Sequence, residues 1–157
     1  LLFSTKGHNQ PITSFCWNSD GKTLVSSSLD RTVRAFRVEA LVNNDAQSHE
    51  RCNIELDHAT SVTCGPKGSR YVAMVLKSSA SVRVYELGAG GKPGRVVQEF
   101  KCAFTGGGAQ AEASHIFFPG ERFLLTAARE STELAVQGLK GDMLGLVKTN
   151  QVKINSW

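Results

Sequence analysis

The chain has 157 residues, which is enough for about one ordinary globular domain. Its residues are 41% hydrophobic and 20% charged, with 15 glycines and only short apolar runs, a composition that favours strands and turns over long helices. The formal net charge is +4 without a block of like charges, so charge alone indicates a solvated surface and no clustered nucleic-acid footprint.

The first predicted unit, residues 7–53, begins with a β-meander. Three short runs are predicted as its strands: Ile12 to Trp17, Leu24 to Ser28 and Val33 to Val38. An Asn-Ser-Asp-Gly turn and a tight Leu-Asp-Arg-Thr turn separate them, as expected for antiparallel neighbours. The polar segment Glu39 to Asn53 is predicted as an irregular connector, in which His49, Glu50 and Arg51 form either a contact surface or an ordinary solvated loop.

Two weaker copies follow, predicted as units 54–103 and 104–150. The second unit has four predicted strands: Val62 to Cys64, Tyr71 to Leu76, Val82 to Tyr85 and Arg95 to Cys102. The third unit has four more: Ser114 to Phe118, Phe123 to Ala128, Leu134 to Val136 and Met143 to Lys148. The turn glycines Gly21, Gly68 and Gly120 recur about every fifty residues, which is typical of a repeat architecture. Residues 1–6 are predicted as a strand of a preceding unit and 151–157 as the start of the next.

The four cysteines form no Cys-x-x-Cys pair: Cys16, Cys52, Cys64 and Cys102. Cys16 and Cys64 lie inside apolar runs and are predicted as buried free thiols, in a chain that faces a reducing compartment. No run of about 18 apolar residues occurs, so no membrane-spanning helix is predicted. Because the sequence starts with Leu1 and shows no signal peptide, we expect it to be a piece of a longer protein.

The order of motifs in the first unit resembles the WD40 repeat. These motifs are Gly-His, a central Asp-Gly turn, the run Ser-Ser-Ser-Leu-Asp-Arg-Thr-Val-Arg and an aromatic residue in the third strand, with Phe36-Arg37 where the name-giving Trp-Asp pair would stand. The resemblance implies an all-β fold, a WD40-type β-propeller, of which this chain is an incomplete fragment of about three four-stranded blades. Three segments resemble more specifically the transducin beta-like subfamily: Asn53 to Thr60, Leu139 to Gly141 and Thr149 to Gln151.

In WD40 blades a His before the first strand, a Ser or Thr of the second, an Asp of the tight turn and a Trp of the third form a hydrogen-bonded set. The resemblance transfers this structural blade network to the following residues: His8, Ser26 or Ser28, and Asp30 in the first unit, and His58 in the second. Phe36 cannot donate the indole N–H, and the second unit lacks the Asp, so both sets are truncated. These residues are predicted to hold the blades together and not to form a catalytic or metal site.

No pattern in the sequence indicates catalysis. Nucleophilic catalysis needs a nucleophile beside a base that a third group orients, and no such spacing is present. A zinc site needs paired ligands at short spacing, whereas the histidines are scattered along the chain: His8, His49, His58 and His115. The glycine-rich run Gly88 to Gly94 lacks the Gly-Lys-Ser/Thr ending of a phosphate-binding loop. We therefore predict no enzyme activity, no metal and no cofactor.

The leading functional prediction is a non-catalytic scaffold for protein–protein contacts. WD40 discs present binding residues on the rim formed by the loops before the first strands and the turns after the second strands, and the predicted rim residues here are Leu29, Arg31, Lys77 and Arg129. The remaining blades of the parent chain are needed to close the propeller. The subfamily resemblance implies a propeller that faces the cytosol and is tethered to the endoplasmic reticulum through a segment absent here, in a stress or signalling context.

Two alternatives come from other classes. The first is RNA association through a basic surface made of Lys6, Arg31, Arg34, Arg37, Lys77, Arg83 and Lys101. This alternative predicts binding that weakens steeply as salt is added. The second is an enzyme built on the closed propeller, which would require convergent polar groups in the central channel.

Overall fold

The structure is a computed structural model. It describes residues 7–43, 49–88, 93–101, 113–117, 123–128, 133–139 and 142–148. Sheet I contains β1 (Ile12–Trp17), β2 (Thr23–Ser28), β3 (Thr32–Arg37) and β4 (His49–Asn53), with the short helix α1 (Val38–Val42) after β3. Sheet II contains β5 (Ala59–Cys64), β6 (Tyr71–Leu76), β7 (Ser81–Glu86) and β8 (Arg95–Lys101). Sheet III contains β9 (Ala113–Phe117), β10 (Phe123–Ala128), β11 (Glu133–Gly138) and β12 (Met143–Lys148).

Each sheet is an antiparallel meander in which consecutive strands are neighbours. The sheets pack face to face in chain order, and their first strands lie together: β5 contacts β1 on one side and β9 on the other. Three meanders that share this arrangement are the architecture of successive propeller blades, with the first strand of each blade innermost. Within these described ranges, no helix is both long enough and apolar enough to cross a membrane.

Strand β6 explains why sheet II is the centre of the described structure. Its sequence, Tyr-Val-Ala-Met-Val-Leu, lacks the apolar–polar alternation of a strand that has one wet face. Val72 and Met74 pack in the core shared with sheet I, whereas Ala73 and Val75 pack in the core shared with sheet III. Because side chains alternate between the two faces of a strand, a continuous apolar run is what a sheet covered on both sides requires.

Two apolar cores hold the three sheets together. The core between sheets I and II contains Val25, Val33, Ala35, Cys52, Ile54, Ala59, Val62, Val72, Met74, Leu76 and Tyr85. The core between sheets II and III contains Ala73, Val75, Val82, Val84, Ile116 and Leu124. Burial of such side chains contributes roughly 25 cal/mol for each Å² of apolar surface removed from water, so these two interfaces are the main stabilising elements of the described fold.

The segment 39–53 differs from its prediction as an irregular connector. Residues 38–42 form the short helix α1, and His49–Asn53 forms β4, which pairs with β3 at the edge of sheet I. The sequence His-Glu-Arg-Cys-Asn carries only one apolar side chain, Cys52, and this side chain is buried in the core against sheet II. A charged edge strand with one buried residue gives almost no hydrophobic pattern, and this is why the sequence did not predict it.

The other strands predicted within the described residues are present, most with shifts at their ends, whereas residues 1–6 and 151–157 lie outside the described residues. The predicted bounds of β1, β6, β10 and β12 match the structure, and β11 extends further in both directions than predicted. Gly21 and Gly68 stand in the turns between the first and second strands of sheets I and II with φ of 66° and 85°, a conformation that glycine adopts without steric cost. Each sheet lies within one predicted unit, and the unit boundaries themselves stay a prediction.

Candidate interaction surface

His8 connects the loop before β1 to the second strand and to the tight turn of sheet I. Its Nδ1 lies 3.0 Å from Asp30 Oδ2, and its Nε2 lies 2.8 Å from Ser26 Oγ. Because a carboxylate only accepts hydrogen bonds, Nδ1 donates to Asp30, and Nε2 of a neutral ring accepts from the Ser26 hydroxyl. The structure thus brings together three residues of the predicted blade network, His8, Ser26 and Asp30.

Phe36 stands beside this network, where the family has a Trp. Its ring meets the His8 ring edge-on, with centroids 6.4 Å apart and an angle of 75° between the planes. A Cβ added to Gly7 would collide with the Phe36 ring, so the glycine before the histidine is required by close packing. The Gly-His pair of the sequence therefore has a steric role and a hydrogen-bonding role in one place.

Ser28 differs from its predicted place in the His8 network. Its hydroxyl donates to the Gln10 carbonyl at 2.9 Å and accepts from the Asp30 backbone N–H at 3.1 Å. Ser28 thus ties the loop before β1 to the tight turn by a separate path, without contacting the imidazole. The partner of the His8 ring is therefore Ser26, whose hydroxyl lies within hydrogen-bond distance of Nε2.

Sequence reasoning missed two members of the network, Thr32 and Arg34. The Thr32 hydroxyl donates to Asp30 Oδ1 at 2.6 Å and accepts from Arg34 Nε at 3.2 Å. Arg34 is only 7% exposed, and its guanidinium lies 3.7 Å from Asp30 Oδ2. A buried cation of this kind needs a nearby anion, so Asp30 also neutralises Arg34. The signal was present in the spacing Asp-x-Thr-x-Arg, which places all three side chains at one turn.

Asp30 is consequently held ionised. Burial raises the pKa of its carboxyl, but hydrogen bonds from Thr32, from the Asn9 backbone N–H and from His8 outweigh burial and lower the pKa to about 2. A carboxylate with this many donors is charged at every physiological pH. It fixes the loop 7–11 against the tight turn, because the Asn9 and Thr32 N–H groups both point at it.

Asp57 performs the corresponding task in sheet II from the opposite side. This buried carboxylate lies in the loop before β5 and accepts hydrogen bonds from the backbone N–H groups of Ser78 and Ser79 at 3.0 and 3.1 Å. It also accepts from the Ser79 hydroxyl at 3.2 Å and from the His58 N–H at 2.7 Å. Burial raises the pKa of Asp57, whereas the backbone N–H groups of Ser78, His58 and Ser79 lower it, and the net shift is downward.

His58 does not take the place in sheet II that His8 takes in sheet I. Its backbone N–H donates to Asp57, and its carbonyl accepts from the Lys77 N–H at 3.1 Å. In the part of the chain that the structure describes, no side chain bonds to the His58 ring. The residue next to the predicted one, Asp57, supplies the polar group that closes this turn.

The loop 54–58 lies between the two tight turns and is bonded to both. The Ile54 N–H donates to the Arg31 carbonyl at 2.8 Å, and the Lys77 N–H donates to the His58 carbonyl at 3.1 Å. Leu56, at the centre of this loop, is 88% exposed and has a positive φ of 57°. The left-handed conformation is unfavourable for leucine. The hydrogen bonds of the neighbouring residues Ile54 and His58 therefore fix the backbone of this loop and leave the Leu56 side chain exposed.

Three predicted rim residues surround this loop. Leu29 is 44% exposed, Arg31 is exposed with φ of 63°, and Lys77 is exposed at the start of the second tight turn. We call these three residues and Leu56 the rim patch. Arg129, the fourth predicted rim residue, lies outside the described residues. The sequence did not predict Leu56 as a rim residue, because no sequence pattern indicates that a leucine has a positive φ.

The predicted basic surface is divided by the structure. Arg34 is buried against Asp30, which corrects its assignment to an exposed basic surface, and Arg83 forms an ion pair with Glu99 at 2.8 Å. Arg31 directly precedes β3 and Arg37 ends it, about 20 Å apart at the rise of an extended strand. The other exposed cations of the set are Lys77 and Lys101, and Lys6 lies outside the described residues. The cations therefore do not form one stripe.

Glu50 lies between sheets I and II and not on a free contact surface. The Tyr85 hydroxyl donates to its Oε1 at 3.0 Å, and the Gly88 N–H donates to its Oε2 at 2.8 Å. Burial, followed by the hydrogen bond to Glu50, raises the pKa of Tyr85. The prediction that Glu50 belongs either to a contact surface or to a solvated loop is therefore wrong, since its carboxylate joins two sheets.

The described histidines, cysteines and acidic residues do not gather at one point. Among the residues that the structure describes, no group of three or more of them is arranged to hold a metal ion. The polar side chains that do converge, around Asp30 and Asp57, are satisfied by hydrogen bonds from the protein itself. Such saturated carboxylates are structural groups that position loops.

A comparison with protein families agrees with these observations. The family described as WD domain, G-beta repeat (WD40) matches residues 1–37, the segment that contains the His8 and Asp30 network. Together with the three antiparallel meanders, this match confirms the predicted fold class, an incomplete WD40-type β-propeller.

Comparison with individual proteins gives a more specific result than the family match. Transducin beta-like protein 2 from Mus musculus is 28% identical and covers 97% of this chain and 34% of its own length, and the Homo sapiens protein is 26% identical over 97% and 33%. THO complex subunit 3 from Arabidopsis thaliana is 28% identical over 94% of this chain and 40% of its own length. The chain thus spans about a third of the length of the first two relatives. The predicted resemblance to the transducin beta-like subfamily is confirmed.

Proposed function

We propose that this chain is part of a non-catalytic WD40 scaffold and that the rim patch is a contact site for a partner protein. The observation that carries the proposal is Leu56, an apolar side chain that is 88% exposed between two turns that buried carboxylates fix. Large apolar side chains exposed beside arginine are typical of protein-interaction sites. The similarity to a subunit of a THO complex supports a role in an assembly.

The rigidity of the patch favours this role. Asp30 fixes the turn that carries Leu29 and Arg31, and Asp57 fixes the turn that carries Lys77. A surface that is already ordered before binding loses little conformational entropy when a partner docks. The two cations beside two leucines favour a partner segment that combines apolar and acidic side chains.

The experiment compares interaction partners of full-length protein variants. We expect Leu56→Asp and Arg31→Glu each to lower the yield of specific co-purifying proteins by about tenfold or more, measured by affinity purification and quantitative mass spectrometry. Val42→Asp is the matched control, since Val42 is 61% exposed on α1, outside the rim patch. Equal partner yields from the wild type and both rim variants, with unchanged thermal unfolding, would rule the patch out as the contact site.

The outer face of β1 is a second surface with exposed apolar side chains. Ile12, Phe15 and Trp17 are 59%, 67% and 53% exposed, while Ser14 and Cys16 point to β5. We propose that a further blade of the parent chain packs on this face, since an uncovered apolar strand is costly in water. Hydroxyl-radical footprinting read by mass spectrometry tests this proposal: Phe15 and Trp17 should be labelled weakly in the full-length protein and strongly in residues 1–157 alone.

The RNA alternative has a separate test. Binding of labelled single-stranded RNA to the full-length protein would have to weaken steeply with salt, because each phosphate contact releases counterions. The split of Arg31 and Arg37 between two ends of β3, with Arg34 buried, favours the scaffold instead. A steep salt slope that Arg31→Glu and Lys77→Glu together flatten would support RNA binding over the scaffold proposal.

The location follows only from the subfamily resemblance and is proposed on that basis. The full-length protein is expected on the endoplasmic reticulum with the propeller on the cytosolic side. Fluorescence microscopy against a reticulum marker, followed by protease treatment of intact microsomes, tests both parts. A protease-protected propeller would place it in the lumen and would contradict the proposal.

A further inference from the structure

Cys16 and Cys64 lie in contact across the interface of sheets I and II. Cys16 is on β1 and Cys64 on β5, the innermost strands, and their Sγ atoms are 3.0 Å apart although 48 positions separate them in the chain. Both are free thiols, and both side chains are half-buried at the edge of the apolar core. Their sequence positions predicted two buried free thiols, and the structure places these thiols side by side.

Neighbouring hydrogen bonds hold the two strands in this register. The Thr13 hydroxyl donates to the Ala59 carbonyl at 2.6 Å, and the Val62 N–H donates to the Ser14 hydroxyl at 3.3 Å. Both bonds cross from β1 to β5. These two hydrogen bonds hold β1 beside β5, so the cysteines that the two strands carry lie close together.

The short separation indicates bond formation between the sulfurs and not metal binding. Two thiolates on a tetrahedral zinc ion, with Zn–S bonds of about 2.3 Å, would be held roughly 3.8 Å apart. A third ligand is also missing, because the described residues contain no cluster of three metal-binding side chains. A disulfide needs an S–S distance of about 2.05 Å, which the present contact approaches.

We propose that Cys16 and Cys64 form a site of reversible oxidation, at which a hydroperoxide converts the two thiols into a disulfide that links β1 to β5. The Cys16 thiolate attacks one peroxide oxygen, the O–O bond breaks, and a sulfenic acid forms while the departing hydroxide takes up the Cys16 proton. Cys64 then attacks Cys16 Sγ, the S–O bond breaks, and the second hydroxide leaves with the Cys64 proton. With hydrogen peroxide, two thiols lose two electrons and two waters form.

The roles of the two cysteines follow from their mutual hydrogen bond. Either sulfur can donate in this contact, and with the Cys64 thiol as the donor the hydrogen bond lowers the pKa of Cys16, although burial acts in the opposite direction. The same hydrogen bond and burial raise the pKa of Cys64. In this arrangement we propose Cys16 as the attacking thiolate and Cys64 as the resolving thiol. Cys52 offers a contrast, because burial raises its pKa to about 11.

The disulfide would change how the two sheets can move. Sheets I and II share one continuous apolar core, and their first strands contact directly. A covalent link between β1 and β5 would prevent these sheets from separating in any local opening of the ring. Because the link joins the innermost strands, it leaves the rim patch exposed and is compatible with the proposed scaffold function without depending on it.

The test uses the folded full-length protein and hydrogen peroxide. After oxidation, free thiols are blocked with iodoacetamide, and the protein is digested with trypsin without reduction. Trypsin places Cys16 in the peptide 7–22, and Cys52 and Cys64 together in the peptide 52–67. We expect the cross-linked pair of these peptides, with Cys52 carbamidomethylated and a mass two hydrogen atoms below the sum of the two peptides in that form, to exceed any other cysteine pair at least tenfold and to disappear on treatment with dithiothreitol.

Three controls make the result decisive. A Cys52→Ala variant should keep the cross-link, since the link belongs to Cys64, and a Cys64→Ser variant should instead leave Cys16 as a sulfenic acid that dimedone traps. In urea the same oxidation should distribute the cross-links among the cysteines. If the folded protein gives no Cys16–Cys64 peptide, or gives the same distribution as in urea, the proposed oxidation site is wrong. The comparison of the folded wild-type protein with the same protein in urea does not depend on the folding of any variant.

Discussion

In sheets I and II a carboxylate holds the loop before the first strand against the tight turn, but the carboxylate comes from the turn in one sheet and from the loop in the other. We call this contact between loop and turn the joint. In both sheets a loop before the first strand must be held against the tight turn between the second and third strands. Sheet I places the carboxylate in the turn, where Asp30 accepts from Asn9 in the loop and from Thr32. Sheet II places it in the loop, where Asp57 accepts from Ser78 and Ser79 in the turn.

The difference teaches which property of the joint matters. The two sheets differ in the position of the aspartate and in the use of a histidine ring. Both have a buried carboxylate that accepts several hydrogen bonds. Hydrogen bonds to charged groups contribute more than neutral ones, and a buried N–H without an acceptor is costly. One carboxylate that accepts from both segments satisfies this need from either side, so the two joints are chemically equivalent although their sequences differ.

The largest expected effect comes from removing the carboxylate of sheet I. Asp30→Ala removes the carboxylate that lies 3.7 Å from the buried Arg34 guanidinium and deprives the Asn9 and Thr32 N–H groups of this acceptor. We expect the free energy of unfolding to fall by about 3–5 kcal/mol, because removing one partner of a buried ion pair is strongly destabilising. Urea unfolding measures the loss. Asp20→Ala is the control, since this exposed turn carboxylate should cost only about 1 kcal/mol.

Removing the carboxylate of sheet II should cost less. Asp57→Ala deprives the N–H groups of Ser78 and Ser79 of an acceptor but leaves no buried cation, so we expect a loss of about 2–3 kcal/mol in the same assay. Glu55→Ala, an exposed neighbour, should change stability by no more than about 0.5 kcal/mol. An Asp57→Ala loss as large as that of Asp30→Ala would contradict the role assigned to Arg34.

Both carboxylates should make stability fall in acid. The pKa of Asp30 is lowered to about 2 and that of Asp57 is also lowered, so each contributes stability that is present above the unfolded pKa, near 4, and is lost as pH falls through the folded pKa. For Asp30 the contribution is about 2 kcal/mol. Chemical unfolding between pH 5 and about 2 measures it, and Asp30→Asn should flatten this acid limb. An unchanged limb in that variant would show that other groups dominate.

The sequence predicted most strands because they show either alternation or continuous apolar runs between glycine turns. It failed at β4, where Cys52 is the one apolar residue of a polar edge strand. For the network, the family resemblance supplied His8 and Asp30, and Thr32 and Arg34 were missed because a charged residue is normally expected in water. The contact of Cys16 with Cys64 was beyond reach, since only the packing of β1 on β5 brings the two residues together.

The smallest expected effect concerns the residue that ends each tight turn. Arg31 in sheet I and Ala80 in sheet II have positive φ of 63° and 47°, so the two joints share this conformation although neither uses glycine. Ala80→Gly and Arg31→Gly should each raise the free energy of unfolding by about 0.5 kcal/mol, because relief of the left-handed conformation exceeds the entropy that glycine adds to the unfolded chain. Ala73→Gly, in the strand β6, should instead lower it by roughly 1 kcal/mol. If urea unfolding showed that only one turn variant is stabilised, the equivalence of the two joints would not extend to their backbone.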